Sequence, residues 1–177
     1  MNTTLYQKAL GEEFKQLSPL LRQFHSELET NWVGESQIDW SSRKLIRLLL
    51  HLGGLPREAS KEKLTMRIKV RNKTELWMRH FGKKMMKSKQ RYKGNTIRES
   101  FGPFTLFLVT HVKESSLYQR CFRSKIFVIP LPSFFRFNID AYEWQENDRF
   151  NFQVNIGFAS VRLIHYRGWL APAEESV

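Results

Sequence analysis

Arg79 stands between Trp77 and Phe81 in the run Leu76-Trp77-Met78-Arg79-His80-Phe81. Residues two apart in an extended chain share a side, so this spacing places a guanidinium among large aromatics. If that face points inward, the charge needs a carboxylate or an anionic ligand, because an unpaired buried cation is strongly unfavourable. Glu99, Asp140 and Glu143 are the acids expected among apolar neighbours on other strands, and they are the available partners. The chemistry open to Arg79 is a structural ion pair, an anchor for the acidic head of a ligand, or a solvated face. Arg167 repeats the pattern. Val161, Leu163, His165, Arg167 and Trp169 share one face, while Ile164, Tyr166 and Leu170 share the other with Gly168. A glycine inside a strand signals a bulge or a close backbone approach. The candidate ligand-binding residues are therefore Trp77, Arg79, Phe81, Glu99, Asp140, Arg167 and Trp169.

Catalytic signatures are weak. Any two of Glu99, Asp140 and Glu143 could form an acid/base pair for glycoside or ester hydrolysis, but nothing in the sequence sets their separation. The five histidines (His25, His51, His80, His111 and His165) show no H-E-x-x-H or H-x-H spacing, and Cys121 is the only cysteine. No metal site, catalytic residue or cofactor is assigned. His25, directly after Phe24, reads as a helix-end or core-edge residue. There is no Gly-x-Ser-x-Gly elbow and no Gly-x-Gly-x-x-Gly after a strand.

Charge is unevenly spread. Residues 61–125 hold 18 Lys/Arg against 4 Asp/Glu, a net of +14, while residues 1–60 are balanced and 126–177 are slightly acidic. The densest run is Lys83, Lys84, Lys87, Lys89, Arg91 and Lys93, of which the last four alternate onto one strand face. It reads as a lysine-rich solvated face or as a patch for an anionic membrane surface. Nucleic acid is the weaker partner, because no recognition signature is present and no aromatics interleave as stacking platforms. The uncharged segment 126–135 contains Pro130 and Pro132, which exclude a regular central strand. It is expected to be a buried crossing that closes the sheet, with an apolar rim at a cavity mouth or a membrane-touching loop as alternatives.

These residues are positioned by a chain written mostly in period two. Strands are expected at 64–71, 74–81, 84–92, 95–101, 104–112, 116–124, 134–145, 149–158 and 161–170, joined by short turns that permit only antiparallel pairing. Before them, Tyr6, Leu10, Phe14, Leu17, Leu21, Phe24 and Leu28 recur at helical spacing. Ser18-Pro19 divides this stretch into helices over 3–16 and 18–28, with Ser as cap and Pro at the first position. Residues 29–40 are ambiguous, with a short strand around 32–39. A very apolar helix over 42–52 ends at Gly53-Gly54, residues 55–63 read as a polar linker, and 171–177 as a loose tail.

The order of short phrases carries a resemblance. Leu10-Gly11-Glu12-Glu13-Phe14, Leu52-Gly53-Gly54-Leu55-Pro56, Trp77-Met78-Arg79-His80-Phe81-Gly82, Glu99-Ser100-Phe101-Gly102-Pro103-Phe104, Asp140-Ala141-Tyr142-Glu143-Trp144 and Tyr166-Arg167-Gly168-Trp169-Leu170 together resemble the bacterial family called domain of unknown function 4166. The resemblance runs over about residues 5–171. It implies a stand-alone accessory or binding module, and no activity.

The expected architecture is α+β. A curved antiparallel meander sheet or near-closed β-barrel of eight or nine strands carries three short N-terminal helices. All of it falls in a single domain over 1–177, with a helical N-terminal region at 1–54 and the sheet at 64–170. The 14 Phe and 5 Trp suit a wide interior and an apolar pocket. The favoured function is a non-enzymatic module that binds an apolar or amphipathic small molecule. A basic peripheral protein docking on anionic membrane or nucleic acid comes second, and a hydrolase using Glu99 and Asp140 third. One cysteine, no secretory leader pattern and no long apolar run point to a cytoplasmic protein, at most peripheral to the membrane.

Overall fold

The computed structural model describes residues 3–44, 56 and 58–173. Eleven strands follow one another: β1 (Glu29–Trp40), β2 (Ala59–Arg71), β3 (Thr74–Phe81), β4 (Lys84–Lys93), β5 (Thr96–Phe101), β6 (Phe104–Lys113), β7 (Ser116–Ile126), β8 (Ile129–Pro130), β9 (Phe137–Glu146), β10 (Arg149–Phe158) and β11 (Val161–Pro172). Every pairing is antiparallel. Consecutive strands pair from β1 to β7, β7 continues to β9 and β10, and β11 returns to β1. The result is a closed ten-stranded barrel, with the two-residue β8 attached to the end of β7.

The turns explain the up-and-down order. Asn72-Lys73 and Asn147-Asp148 both hold positive φ at two successive residues, the hairpin conformation whose twist matches that of the flanking strands. The barrel therefore has two distinct ends. Turns β2–β3, β4–β5, β6–β7 and β9–β10 lie at one, and β3–β4, β5–β6, β7–β9 and β10–β11 at the other.

The N-terminal segment covers the first end. α1 (Leu5–Leu10) is followed by a 3-10 turn (Gly11–Gln16) and by α2 (Pro19–Ser26), with Ser18 at the cap position. The single helix expected over 3–16 is broken at Gly11, whose φ of 55° leaves the helical region. The second ends at Ser26 because the chain is already extended at Glu27 to enter β1. Ser18 N–H donates to the Ser115 carbonyl, Leu20 N–H to Gln145 Oε1 and Val112 N–H to Glu13 Oε2, which ties the helices to the barrel rim. Their apolar face is buried from Leu5 to Phe24, but Leu28 is exposed.

Two stretches depart from expectation. Residues 29–40 form a full twelve-residue strand, and 59–63 begin β2 rather than a linker. The inward positions of β1 are Thr30, Trp32, Gly34, Ser36 and Ile38, too few of them large for a strong alternation signal. Gly34 is small because β11 passes close by. A Cβ on Gly34 would run into the Trp169 carbonyl, and one on Gly168 into the Glu35 carbonyl. Segment 126–135 is not a buried crossing: Phe127, Val128, Ile129, Phe134 and Phe135 are all exposed. The helix expected over 42–52 falls outside the described residues from 45 onward. Ala171 and Pro172, read as tail, extend β11 against Val33 and Trp32, and 174–177 lie outside the described residues.

Ten strands stand between the eight whose side chains fill a barrel and the wide barrels that hold a channel. Aromatics take up much of this extra room, as where Phe24 from α2 stacks on Phe150 at 4.3 Å and meets Trp32 edge-on at 5.1 Å.

Candidate functional site

β3 turns Glu75, Trp77, Arg79 and Phe81 into the barrel. Opposite them β4 brings Met86, Ser88 and Gln90, and β5 brings Glu99 and Phe101. All of these except Glu75 line a cavity of about 100 Å³ whose other walls include Leu106, Leu108, Phe152, Ile156 and Tyr166. Its surface is mostly apolar, with polar groups gathered in two places.

The first is centred on Arg79, which is 7% exposed. Its Nη1 donates to Ser88 Oγ at 2.9 Å and its Nη2 to Glu99 Oε1 at 3.4 Å. The guanidinium lies over the Trp77 ring, 4.9 Å from its centre, where ring and cation attract. Among the described residues, two of its N–H donors are used by protein groups. Tyr166, on the facing wall, makes no hydrogen bond among the described residues. Burial pushes its phenol up to about 12, opposed by the nearby Arg79, so it remains a neutral donor at ordinary pH.

The second lies beneath the helices. Tyr6 reaches down from α1 and donates to Gln90 Oε1 at 3.2 Å, while Gln119 Nε2 donates to its oxygen at 2.9 Å. Burial, then the charges of Glu143, Glu75 and Glu99, hold the Tyr6 phenol well above its ordinary value. His25 Nε2–H donates to Glu143 Oε2 at 2.7 Å, both side chains being buried. Glu75 accepts from Leu5 N–H at 3.2 Å and from Trp77 Nε1–H at 3.0 Å. Burial raises its carboxyl above the usual range despite these bonds. Every polar group in this second cluster is satisfied by another, so it fastens the helical cover to the barrel.

Of the candidate residues, Trp77, Arg79, Phe81 and Glu99 come together around the cavity. Asp140, Arg167 and Trp169 do not. Asp140 points outward, 3.7 Å from Arg120 Nε. Arg167 donates to Gln37 Oε1 at 3.0 Å on the outer wall, and Trp169 lies under Arg149 at 4.0 Å. The reason is parity: burying Ile164, Tyr166 and Leu170 turns their odd-numbered neighbours outward. Glu99 and Asp140 thus lie on opposite sides of the barrel wall and cannot act as one acid/base pair. Lys83, Lys84, Lys87, Lys89, Arg91 and Lys93 are all exposed on the outside. Lys89 and Arg91 join Arg98 and Ser100 around a shallow outer cleft of about 210 Å³.

Sequence reasoning missed Glu75, Ser88 and Tyr166. Glu75 was within reach, since it shares the face of Trp77 and Arg79 two residues upstream. Ser88 and Tyr166 carry no local mark; the β3–β4 pairing sets Ser88 beside Arg79, and only the closed barrel brings Tyr166 to the same cavity. Among the described residues, no three His, Cys, Asp or Glu side chains are grouped so as to hold a metal ion, and no helix is long and apolar enough to cross a membrane.

The family model described as Domain of unknown function (DUF4166) matches residues 17–170. The chain belongs to this family. In this DUF4166 chain the matched span takes in α2 and the strands that build the cavity, whereas Tyr6 and α1 precede it. No curated protein matches it. Among solved structures it is similar to the crystal structure of a protein of unknown function from the DUF3598 family of Nostoc punctiforme. That likeness has a TM-score of 0.52 at 9% identity and covers 81% of this chain and 47% of the other. The DUF4166 chain thus spans about half the length of that protein, and the likeness shows the fold alone.

Proposed function

We propose that the barrel is a binding module for an apolar or amphipathic small molecule whose acidic or hydrogen-bonding end meets Arg79. The observation that carries this reading is the imbalance at one point of an otherwise apolar cavity. Among the described residues, Arg79 keeps N–H donors that no protein group uses, and the neutral Tyr166 hydroxyl, which feels the Arg79 charge, has no protein partner. Buried donors are normally satisfied, so a carboxylate, or water in its absence, is the complement. The cavity, about 100 Å³, is somewhat smaller than the roughly 150 Å³ engineered space that takes benzene. It suits the head and first carbons of a ligand whose remainder runs along Phe101 and Ile156 toward the end away from the helices.

A series of straight-chain carboxylates and the matching alcohols, followed by thermal unfolding, tests this. The acids should raise the melting temperature of the wild type more than the alcohols do. Arg79→Met should erase the preference for acids, and Ala141→Leu, which grows a side chain into the cavity, should erase stabilisation by both. Wild-type protein that ignores the whole series, or Ala141→Leu that responds like wild type, would refute the reading.

A further inference from the structure

The end of the barrel away from the helices carries an apolar tip. The connection from β7 to β9 exposes Phe127 (73%), Val128 (83%), Ile129 (65%) and Phe134 (68%). This tip is built, not loose. β8 pairs Ile129 with Ile126 and Pro130 with Lys125, Leu131 N–H donates to the Ser124 carbonyl, and Phe127 N–H to the Pro103 carbonyl. Phe127 sits at φ 53°, in the left-handed region that an aromatic residue rarely enters. A strained, solvent-facing phenylalanine serves neither stability nor solubility, and strain of this kind gathers at functional places.

Cations flank the tip and share its end of the barrel. Arg123 and Lys125 stand on β7 itself, both over the Phe107 ring. Arg136 follows the tip, donating to the Phe122 carbonyl. Lys83 and Lys84 lie in the β3–β4 turn at the same end. None of these five has an acidic partner within ion-pair distance among the described residues. The exposed acids Glu12, Glu13, Glu114, Glu146 and Asp148 lie at the helix-covered end, while the exposed Glu58 precedes β2 at the tip's end. Exposed apolar side chains flanked by cations, with more at the same end of the barrel, match a surface that is negative outside and apolar a few ångströms in.

We infer that this end docks on an anionic phospholipid bilayer, with Phe127, Val128, Ile129 and Phe134 entering the interface and Arg123, Lys125, Arg136, Lys83 and Lys84 meeting the headgroup phosphates. Contact of both kinds is what holds peripheral proteins at an interface. The surface differs from the lysine face of β4, which stands along the barrel side. It is also independent of the cavity reading, although docking in this way turns Phe101 and Ile156 toward the lipid.

Co-sedimentation with vesicles of phosphatidylcholine alone, or with about a third phosphatidylserine, decides it, run at low and at high salt. Wild-type protein should bind the anionic vesicles and not the neutral ones, and lose binding as salt rises. Phe127→Ser/Val128→Ser and, separately, Arg123→Glu/Lys125→Glu should each weaken binding at least tenfold. All of these positions are outside the core, so both variants should keep the wild-type melting temperature, and Lys87→Glu/Lys89→Glu should bind much as wild type does. No binding to anionic vesicles, equal binding to neutral ones, or indifference to the tip substitutions overturns the inference. Light scattering that finds a wild-type dimer abolished by the same tip substitutions, without vesicle binding, would assign the tip to a second copy of the chain. Single-stranded polynucleotide bound as tightly as the vesicles and regardless of the tip would likewise overturn it.

Discussion

Replacing Arg79 by Met keeps most of the aliphatic stem and removes the guanidinium. Three contacts go with it: the 2.9 Å bond to Ser88, the 3.4 Å contact with Glu99 and the cation–ring contact with Trp77. The Arg79 and Glu99 side chains are 9% and 14% exposed, so the carboxylate left behind finds little water. Stranding one member of a buried pair costs about 3–5 kcal/mol. The long separation and the residual exposure of Glu99 place this pair at the low edge, about 3 kcal/mol with the Ser88 bond included. For a chain of this size that lowers the melting temperature by about 6–12 °C. Arg167→Met, which loses only a bond to Gln37 on the outer wall, should stay within about 0.5 kcal/mol. Urea unfolding followed by tryptophan fluorescence measures both. Adding Glu99→Gln to Arg79→Met should restore some of the loss, because the unpaired charge disappears. The reasoning fails if Arg79→Met is as mild as Arg167→Met, or if Glu99→Gln harms the variant as much as it harms the wild type.

Gly168→Ala should destabilise by about 1–3 kcal/mol, the cost of overpacking, because its Cβ meets backbone of Glu35 and Ser36 that cannot rotate away. Faster amide exchange along the β1–β11 seam should accompany it, and unchanged protection there would contradict the close approach. Glu75→Gln tests the buried carboxyl. The folded state raises its pKa above the ordinary 4.5, so its contribution is fully present below that pH and is lost as the pH climbs through the folded value. The stability of wild type minus variant should therefore fall as the pH rises above 4.5, and a constant difference would count against the burial.

Much of the barrel could be read from the chain because its signals are local. Short turns dictate antiparallel neighbours, and alternation assigns Trp77, Arg79 and Phe81 to one side whatever surrounds them. β1 was harder, since Gly34 and Ser36 answer to a strand that returns more than 130 residues later. The tip misled for a different reason. An uncharged run usually marks burial, but Phe127 to Ile129 turn on a two-residue extension beyond the barrel rim, where no described element covers them.

The sequence by itself determined the antiparallel order of neighbouring strands from β2 to β7, which residues share a side on those strands, the start of α2 at Ser18-Pro19 and the concentration of positive charge on the strands up to β7. Only the tertiary structure decided which face was inside. Period two states which residues share a side and is silent about the direction of that side. Closure of the barrel supplies the direction, turning Arg79 in and Arg167 out, drawing Glu99 to Arg79 and leaving Asp140 outside with Arg120. It also brings His25 to Glu143, 118 positions away, and sets Tyr166 opposite Arg79. Such meetings depend on how many strands complete the ring, and no local stretch of chain carries that number.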